Sequence, residues 1–176
     1  MLVAPLWGQV SALIGAFEPP VWDSLLLDAE VSLPAVGPAV TLACTALETF
    51  LDWATPKFRG HRRLPADYWD WLANRRRAPE PPEQLDSLLV LLAGHSLKTE
   101  QVALWQEFRE LERARNTLVH GGIAYDTKGQ IVTAARAQAL LGSAKQMIDW
   151  VEGWLPARHR QPRYTGTHAL ELSRTF

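Results

Sequence analysis

From Ala134 to Leu155 the chain returns an apolar residue every three or four positions: Ala137, Leu140, Leu141, Ala144, Ile148, Val151 and Leu155. That period places them along one side of a helix, with Met147 and Trp154 widening the stripe. Thr133 suits the N-cap, and Pro156 ends the run. The same period appears from about Pro38 to Ala54, through Val40, Ala43, Cys44, Leu47, Phe50, Leu51 and Ala54. Pro38 fits a first-turn position there, and Pro56 stops the helix. A third stretch carries Leu104, Phe108, Leu111 and Leu118, from a start near Thr99 as N-cap, with Glu100 in the first turn, to Val119 or His120. Long amphipathic helices must bury one face each. The fold class that follows is all-α, an up-and-down bundle of about four to five helices.

The shorter segments fit around these three. A leucine-rich helix is expected over about Glu83 to Ala93, ended by Gly94, and another over about Pro65 to Arg77, with Tyr68, Trp69, Trp71 and Leu72. Ile123-Ala124-Tyr125 and Gln130-Ile131-Val132 flank Asp126-Thr127-Lys128-Gly129, which predicts a short hairpin or extended loop. Two readings are open for the start: Ser24 to Leu33 is a short extended segment leading into the bundle, or an N-terminal helix precedes it. The organisation is thus an N-terminal segment over 1–33, a helical domain over 34–156 and a mobile tail over 157–176.

Composition removes several function classes. One domain is expected for 176 residues, and 47% hydrophobic with 21% charged residues is ordinary for a globular chain. The net charge of −1 gives no global attraction to nucleic acid, so any RNA contact must be local. The single cysteine, Cys44, excludes an internal disulfide and a cysteine-rich zinc site. It lies on an apolar helix face, as a buried thiol would. The five histidines are scattered, no two at i, i+4. His95 reads as a capping or surface histidine. No metal-ligand cluster and no glycine-rich phosphate loop occurs, so neither metal nor cofactor is expected. Met1 to Phe17 is apolar but lacks a positive n-region and is interrupted by Pro5 and Gly8, which argues against a signal peptide. No apolar run has the length of a membrane span, and a cytoplasmic location is expected.

The third stretch ends in Arg115-Asn116-Thr117-Leu118-Val119-His120-Gly121-Gly122. Its apolar stripe runs on until Arg115 stands at the edge. Gly121 is expected to close the helix in a left-handed conformation. A second Arg-x4-His pair, Arg163 to His168, lies in the aperiodic tail and is a decoy. The first is set apart by Asn116 after the arginine, the glycine pair after the histidine, and the amphipathic helix before it.

Arg115, Asn116 and His120 resemble the Arg-Asn-x3-His signature of the HEPN family, small helical bundles that carry it at the end of a core helix. By helix order the resemblance spans about 35–155. It implies a metal-independent endoribonuclease acting as a homodimer, with a toxin, phage-defence or stress-defence role and an antitoxin or regulatory protein as partner. It implies equally the alternative of a catalytically silent module that binds a nucleotide, RNA or partner protein. In one branch, paired with a nucleotidyltransferase antitoxin, a tyrosine stands two residues after the histidine. Here that position is Gly122. Metal-free RNA cleavage needs the 2′-OH deprotonated, the 5′-oxygen protonated and the phosphorane charge stabilised. Histidine suits the proton transfers, and arginine's planar fork suits phosphate. The roles implied are Arg115 as phosphate clamp, His120 as proton-transfer group and Asn116 as orienter of the imidazole or a water.

Three further expectations bear on this site. Glu48 and Asp52 flank the 38–54 stripe, either as a solvated edge or, for Glu48, as a supporting residue that faces the motif. The acidic residues Glu107, Glu110 and Glu112 on the motif helix read as solvated surface, with Arg109 and Arg113 at pairing distance. Residues 57–77 hold seven Lys/Arg against two Asp, so Arg62, Arg63, Arg75, Arg76 and Arg77 are the candidate RNA-binding residues. Residues five apart on an ideal helix lie roughly 140° apart around its axis. Arg115 and His120 of one chain therefore diverge unless the helix ends or bends between them, and a two-fold dimer using the motif helix and the Leu47–Ala54 region would unite them.

Overall fold

The computed structural model describes residues 19–59, 68–70 and 79–160. Its helices are α1 (Val21–Ser32), α2 (Val36–Ala54), α3 (Pro81–Leu85), α4 (Ser87–Ala93), α5 (Leu97–Glu100), α6 (Val102–Gly121) and α7 (Ala134–Trp154). Short 3-10 turns follow α2, at Thr55–Phe58, and α7, at Ala157–His159. Residues 68–70 are helical. The described residues form no strand; an isolated antiparallel bridge joins Tyr125 and Ile131. The fold is an all-α bundle.

α2 is its centre, packing against α1, α6 and α7. Its expected stripe is buried throughout, and Ala39 and Ala46 are buried too. Three neighbours require a wider apolar arc than one face supplies. The segment before it is helical after all: α1 buries Trp22 and Ala29, and the Trp22 ring meets Phe50 edge-on at 5.3 Å.

The core divides by side-chain size. One cluster gathers Phe50, Phe58, Phe108, Met147 and Leu88, Leu89 and Leu92 of α4. Fully burying each such side chain contributes roughly 1.5–3 kcal/mol. The other is built from small residues, Ala29, Ala43, Cys44, Ala114, Ala124, Ala137 and Ala144, with Leu111 and Leu140. Small side chains let α2, α6 and α7 approach closely, and the motif lies along this half.

Several boundaries differ from expectation. The 83–93 helix is two helices, broken at Asp86 (φ −122°, ψ −99°). Asp86 Oδ1 accepts from the Ser96 hydroxyl at 2.7 Å. Ser96, not Thr99, is the cap of the next helix: its Oγ accepts from the Thr99 N–H, and its own N–H donates to Glu100. That bond, then the one to His95, lowers the Glu100 pKa below its ordinary value. His95 stacks on Trp154, with centroids 3.4 Å apart, so it is a packed surface histidine. Gln101 separates α5 from α6, and the motif helix proper begins at Val102. Gly121 is still helical. The left-handed residue is Gly122 (φ 76°), whose N–H donates to the Leu118 carbonyl at 2.7 Å.

The turn after α6 is tied back to it, because the Thr117 hydroxyl accepts from the Tyr125 N–H at 2.9 Å. Gly129 (φ 77°) closes the turn. Thr133 caps α7 as expected, accepting from the Arg136 N–H.

Glu107 and Glu110 are not solvated surface. Arg136 of α7 donates through Nε to Glu110 at 2.6 Å and through Nη2 to Glu107 at 2.8 Å, and Ser143 donates to Glu107 at 3.3 Å. These bonds, Glu110 first, hold the Arg136 guanidinium above its already high ordinary pKa. Arg109 does pair with Glu112, at 2.6 Å. Arg136→Met would leave two carboxylates one turn apart, Glu110 with only 15% of its side chain exposed. The expected loss is about 1–2 kcal/mol in urea unfolding, after allowing for partial solvent screening, and Glu110→Gln in that background should recover part of it. An unchanged urea midpoint would show the brace to be neutral.

Candidate functional site

Arg115 emerges from the small-residue half of the core, flanked on α6 by buried Leu111 and Ala114. Its Nη1 donates to Asn116 Oδ1 at 3.0 Å. Its Nη2 meets both oxygens of Glu48, on α2, at 3.5 Å. Glu48 therefore faces the motif and touches Arg115 rather than His120. With side chains 35% and 32% exposed, the ion pair is loose and half-solvated. Such a pair contributes at most about 1 kcal/mol and leaves the guanidinium free to exchange partners.

Behind Glu48 stands Cys44, one turn earlier on α2, with Sγ 3.7 Å from Oε1. Burial first, and the Glu48 charge second, push the Cys44 thiol up to about 12. It stays protonated at neutral pH and is no nucleophile. A line of three side chains results: a buried thiol, a carboxylate and a solvent-facing arginine. The i, i+4 spacing of Cys44 and Glu48 was visible in the sequence. The long-range step from Glu48 to Arg115 was not fixed by it.

Asn116 is exposed, and its Oδ1 accepts from Arg115; no hydrogen bond joins it to the imidazole among the described residues.

His120 lies in the last turn of α6, exposed and without a side-chain partner among the described residues. The helix neither ends nor bends between residues 115 and 120, so the roughly 140° divergence persists in one chain. On α6 and in the turn that follows it, three apolar side chains are exposed: Val119 at 62%, Ile123 at 43% and Ile131 at 64%. Within the Leu47–Ala54 stretch expected at a dimer contact, Leu47, Phe50, Leu51 and Ala54 are buried inside the protomer, while Glu48, Thr49, Asp52 and Trp53 reach the surface.

Arg62, Arg63, Arg75, Arg76 and Arg77 lie outside the described residues. Among the described residues no group of three His, Cys, Asp or Glu side chains could hold a metal ion, and no helix is long and apolar enough to cross a membrane. No protein-family model, curated protein or solved structure matches the chain.

What the arrangement can do chemically follows from its parts. Arg115 offers a phosphate-matching fork whose anionic partner is exchangeable. His120 offers a proton-transfer group open to solvent. One chain supplies one of each, on diverging sides of a helix.

Proposed function

We propose that this chain is a metal-independent endoribonuclease of HEPN type, working as a homodimer on single-stranded RNA in a toxin or defence role. The observation that carries the reading is the loosely held Arg115, backed by Glu48 and Asn116, with an unpartnered His120 five residues later on the same core helix. A phosphate of the RNA displaces Glu48 from Arg115. One histidine takes the proton of the ribose 2′-OH, whose oxygen attacks the phosphorus. The P–O5′ bond breaks, and a second histidine, from the partner chain, protonates the leaving oxygen. The products are a 2′,3′-cyclic phosphate and a free 5′-OH. Arg115 stabilises the extra negative charge of the pentavalent species. An antitoxin or other regulatory protein would restrain the activity by covering the groove.

The second reading is a catalytically silent module that binds a nucleotide, RNA or a partner protein. It is favoured by one fact, that Arg115 already has a carboxylate partner in the resting chain. The deciding experiment incubates the protein with total RNA in EDTA beside His120→Ala. Fragments ending in 2′,3′-cyclic phosphate, absent with the variant, support the nuclease. Binding without cleavage supports the silent module, and cleavage that needs added magnesium refutes the metal-independent mechanism.

A further inference from the structure

Elsewhere on α6, arginine and carboxylate meet closely. Arg109 reaches Glu112 at 2.6 Å, and Arg136 of α7 reaches Glu110 at 2.6 Å and Glu107 at 2.8 Å. Such short contacts are charge-assisted hydrogen bonds. Arg115 and Glu48 differ from them: Nη2 stays 3.5 Å from both carboxylate oxygens, outside that range, with both side chains half-solvated. Packing sets this separation. Ala43 and Cys44 of α2 share one buried cluster with Leu111 and Ala114 of α6, which fixes where the two backbones stand. The protonated Cys44 thiol lies 3.7 Å from Glu48 Oε1 and holds the carboxylate to its own helix. Glu112, three residues before Arg115, is already taken by Arg109. Glu48 is thus an anion kept beside the guanidinium without closing on it.

We propose that Glu48 is a resident competitor for Arg115, a tethered internal carboxylate that sets the threshold an incoming phosphate must exceed and excludes weaker anions from the site. The choice of phosphate rests on the nuclease reading, to which this adds the regulation of the same site. A carboxylate that braced Arg115 would close to hydrogen-bond length, as Glu107 and Glu110 do on Arg136. One held at 3.5 Å is readily displaced. It still discriminates. A carboxylate from solution offers the guanidinium only what Glu48 already supplies intramolecularly, at a high effective concentration. A phosphate presents more acceptor oxygens in a geometry that matches the arginine fork, so it can displace Glu48 where a carboxylate cannot.

The probes are inorganic phosphate and acetate, each titrated into the full chain at constant ionic strength. NMR follows the Arg115 Nε–H and the Asn116 side-chain amide, and circular dichroism verifies folding. Glu48→Gln keeps the shape of the side chain and removes its charge. It should bind phosphate about three- to fivefold more tightly than the wild type, the upper end of what a half-solvated ion pair contributes. Acetate should leave the wild-type signals in place and shift them in the variant. Glu48→Asp withdraws the carboxylate by one methylene and should show a smaller gain; it decides the matter if the glutamine variant does not fold. Adding Arg115→Gln should remove the phosphate response in both backgrounds. Weaker phosphate binding by the folded Glu48 variants would make Glu48 a positioning residue for Arg115 and overturn the competitor. Equal affinity would overturn it too, as would signals that phosphate never moves or a response that survives without Arg115. None of these readouts involves cleavage. If Glu48→Gln tightens phosphate and RNA is never cut, the competitor stands and the nuclease reading fails. Metal-free cleavage of RNA with phosphate affinity unchanged in the variants sinks the competitor alone.

Discussion

His120→Ala should lower RNA cleavage in EDTA by roughly 10²–10⁴-fold, the usual contribution of a positioned acid or base, while urea unfolding shifts by under about 0.5 kcal/mol. The second half follows from position: His120 is exposed and makes no side-chain hydrogen bond or ion pair among the described residues, and such substitutions seldom disturb folding. Arg115→Ala is a less clean test of the same site. It should also remove cleavage, but it strands the Glu48 carboxylate beside the Cys44 thiol. Because that pair is about one-third exposed, the added cost is at most about 1 kcal/mol. Kinetics and unfolding on the same preparations separate the two effects. A folded His120→Ala protein with undiminished rate would remove His120 from the mechanism, and one that unfolds would make it a structural residue.

The long helices were legible because each buries a stripe with the period of its own turn. Thr133 and the run from Ala137 to Leu155 place α7 to within a residue. α1 was ambiguous for the opposite reason. Val21, Leu27 and Val31 stay exposed while Trp22 and Ala29 are buried, so apolar residues occur all round the helix and blur the period. The break at Asp86 was hidden because Leu85, Leu88, Leu89 and Leu92 remain buried on both sides of it. The backbone turns while the apolar pattern runs on, and only the Asp86–Ser96 bond, ten residues apart, explains it.

The motif was legible as a local string, but its partners were not. Glu107, Glu110 and Glu112 look alike in sequence. Packing gives the first two to Arg136 on α7 and the third to Arg109 on its own helix. Asn116 likewise has two neighbours in reach, Arg115 beside it and His120 one turn on, and helical spacing favours the second. The side chain takes the first, because Arg115 is already anchored by Glu48 and presents its Nη1 to Oδ1. Long-range pairing depends on the rotation of one helix against another, which a single sequence does not state.

On the proposed nuclease reading, that rotation also bears on assembly. α6 is unbroken through Gly121, so Arg115 and His120 of one chain stay roughly 140° apart and cannot converge on one phosphate. The transesterification also asks for a base and an acid, where one chain offers one motif histidine. A two-fold partner supplies both missing pieces through a self-complementary face. The face is expected to use the apolar side chains left exposed on α6 and in the turn that follows it, Val119, Ile123 and Ile131. The wild type is therefore expected to be a dimer at micromolar concentration, by light scattering or sedimentation. Its rate should rise and then fall with pH, as one histidine accepts a proton and the other donates one. Arg115→Ala and His120→Ala are each expected to be inactive as homodimers. Mixed under subunit exchange, they form heterodimers that keep one arginine and one histidine in the shared groove; with one of the two proton transfers still missing, cleavage should rise above the His120→Ala homodimer but stay well below the wild type. Val119→Asp, which puts a charge on the uncovered face without touching Arg115 or His120, should dissociate the dimer and abolish cleavage together. A monomeric wild-type protein that cleaves at full rate would overturn the shared groove, and so would a mixture no more active than the His120→Ala homodimer despite verified exchange.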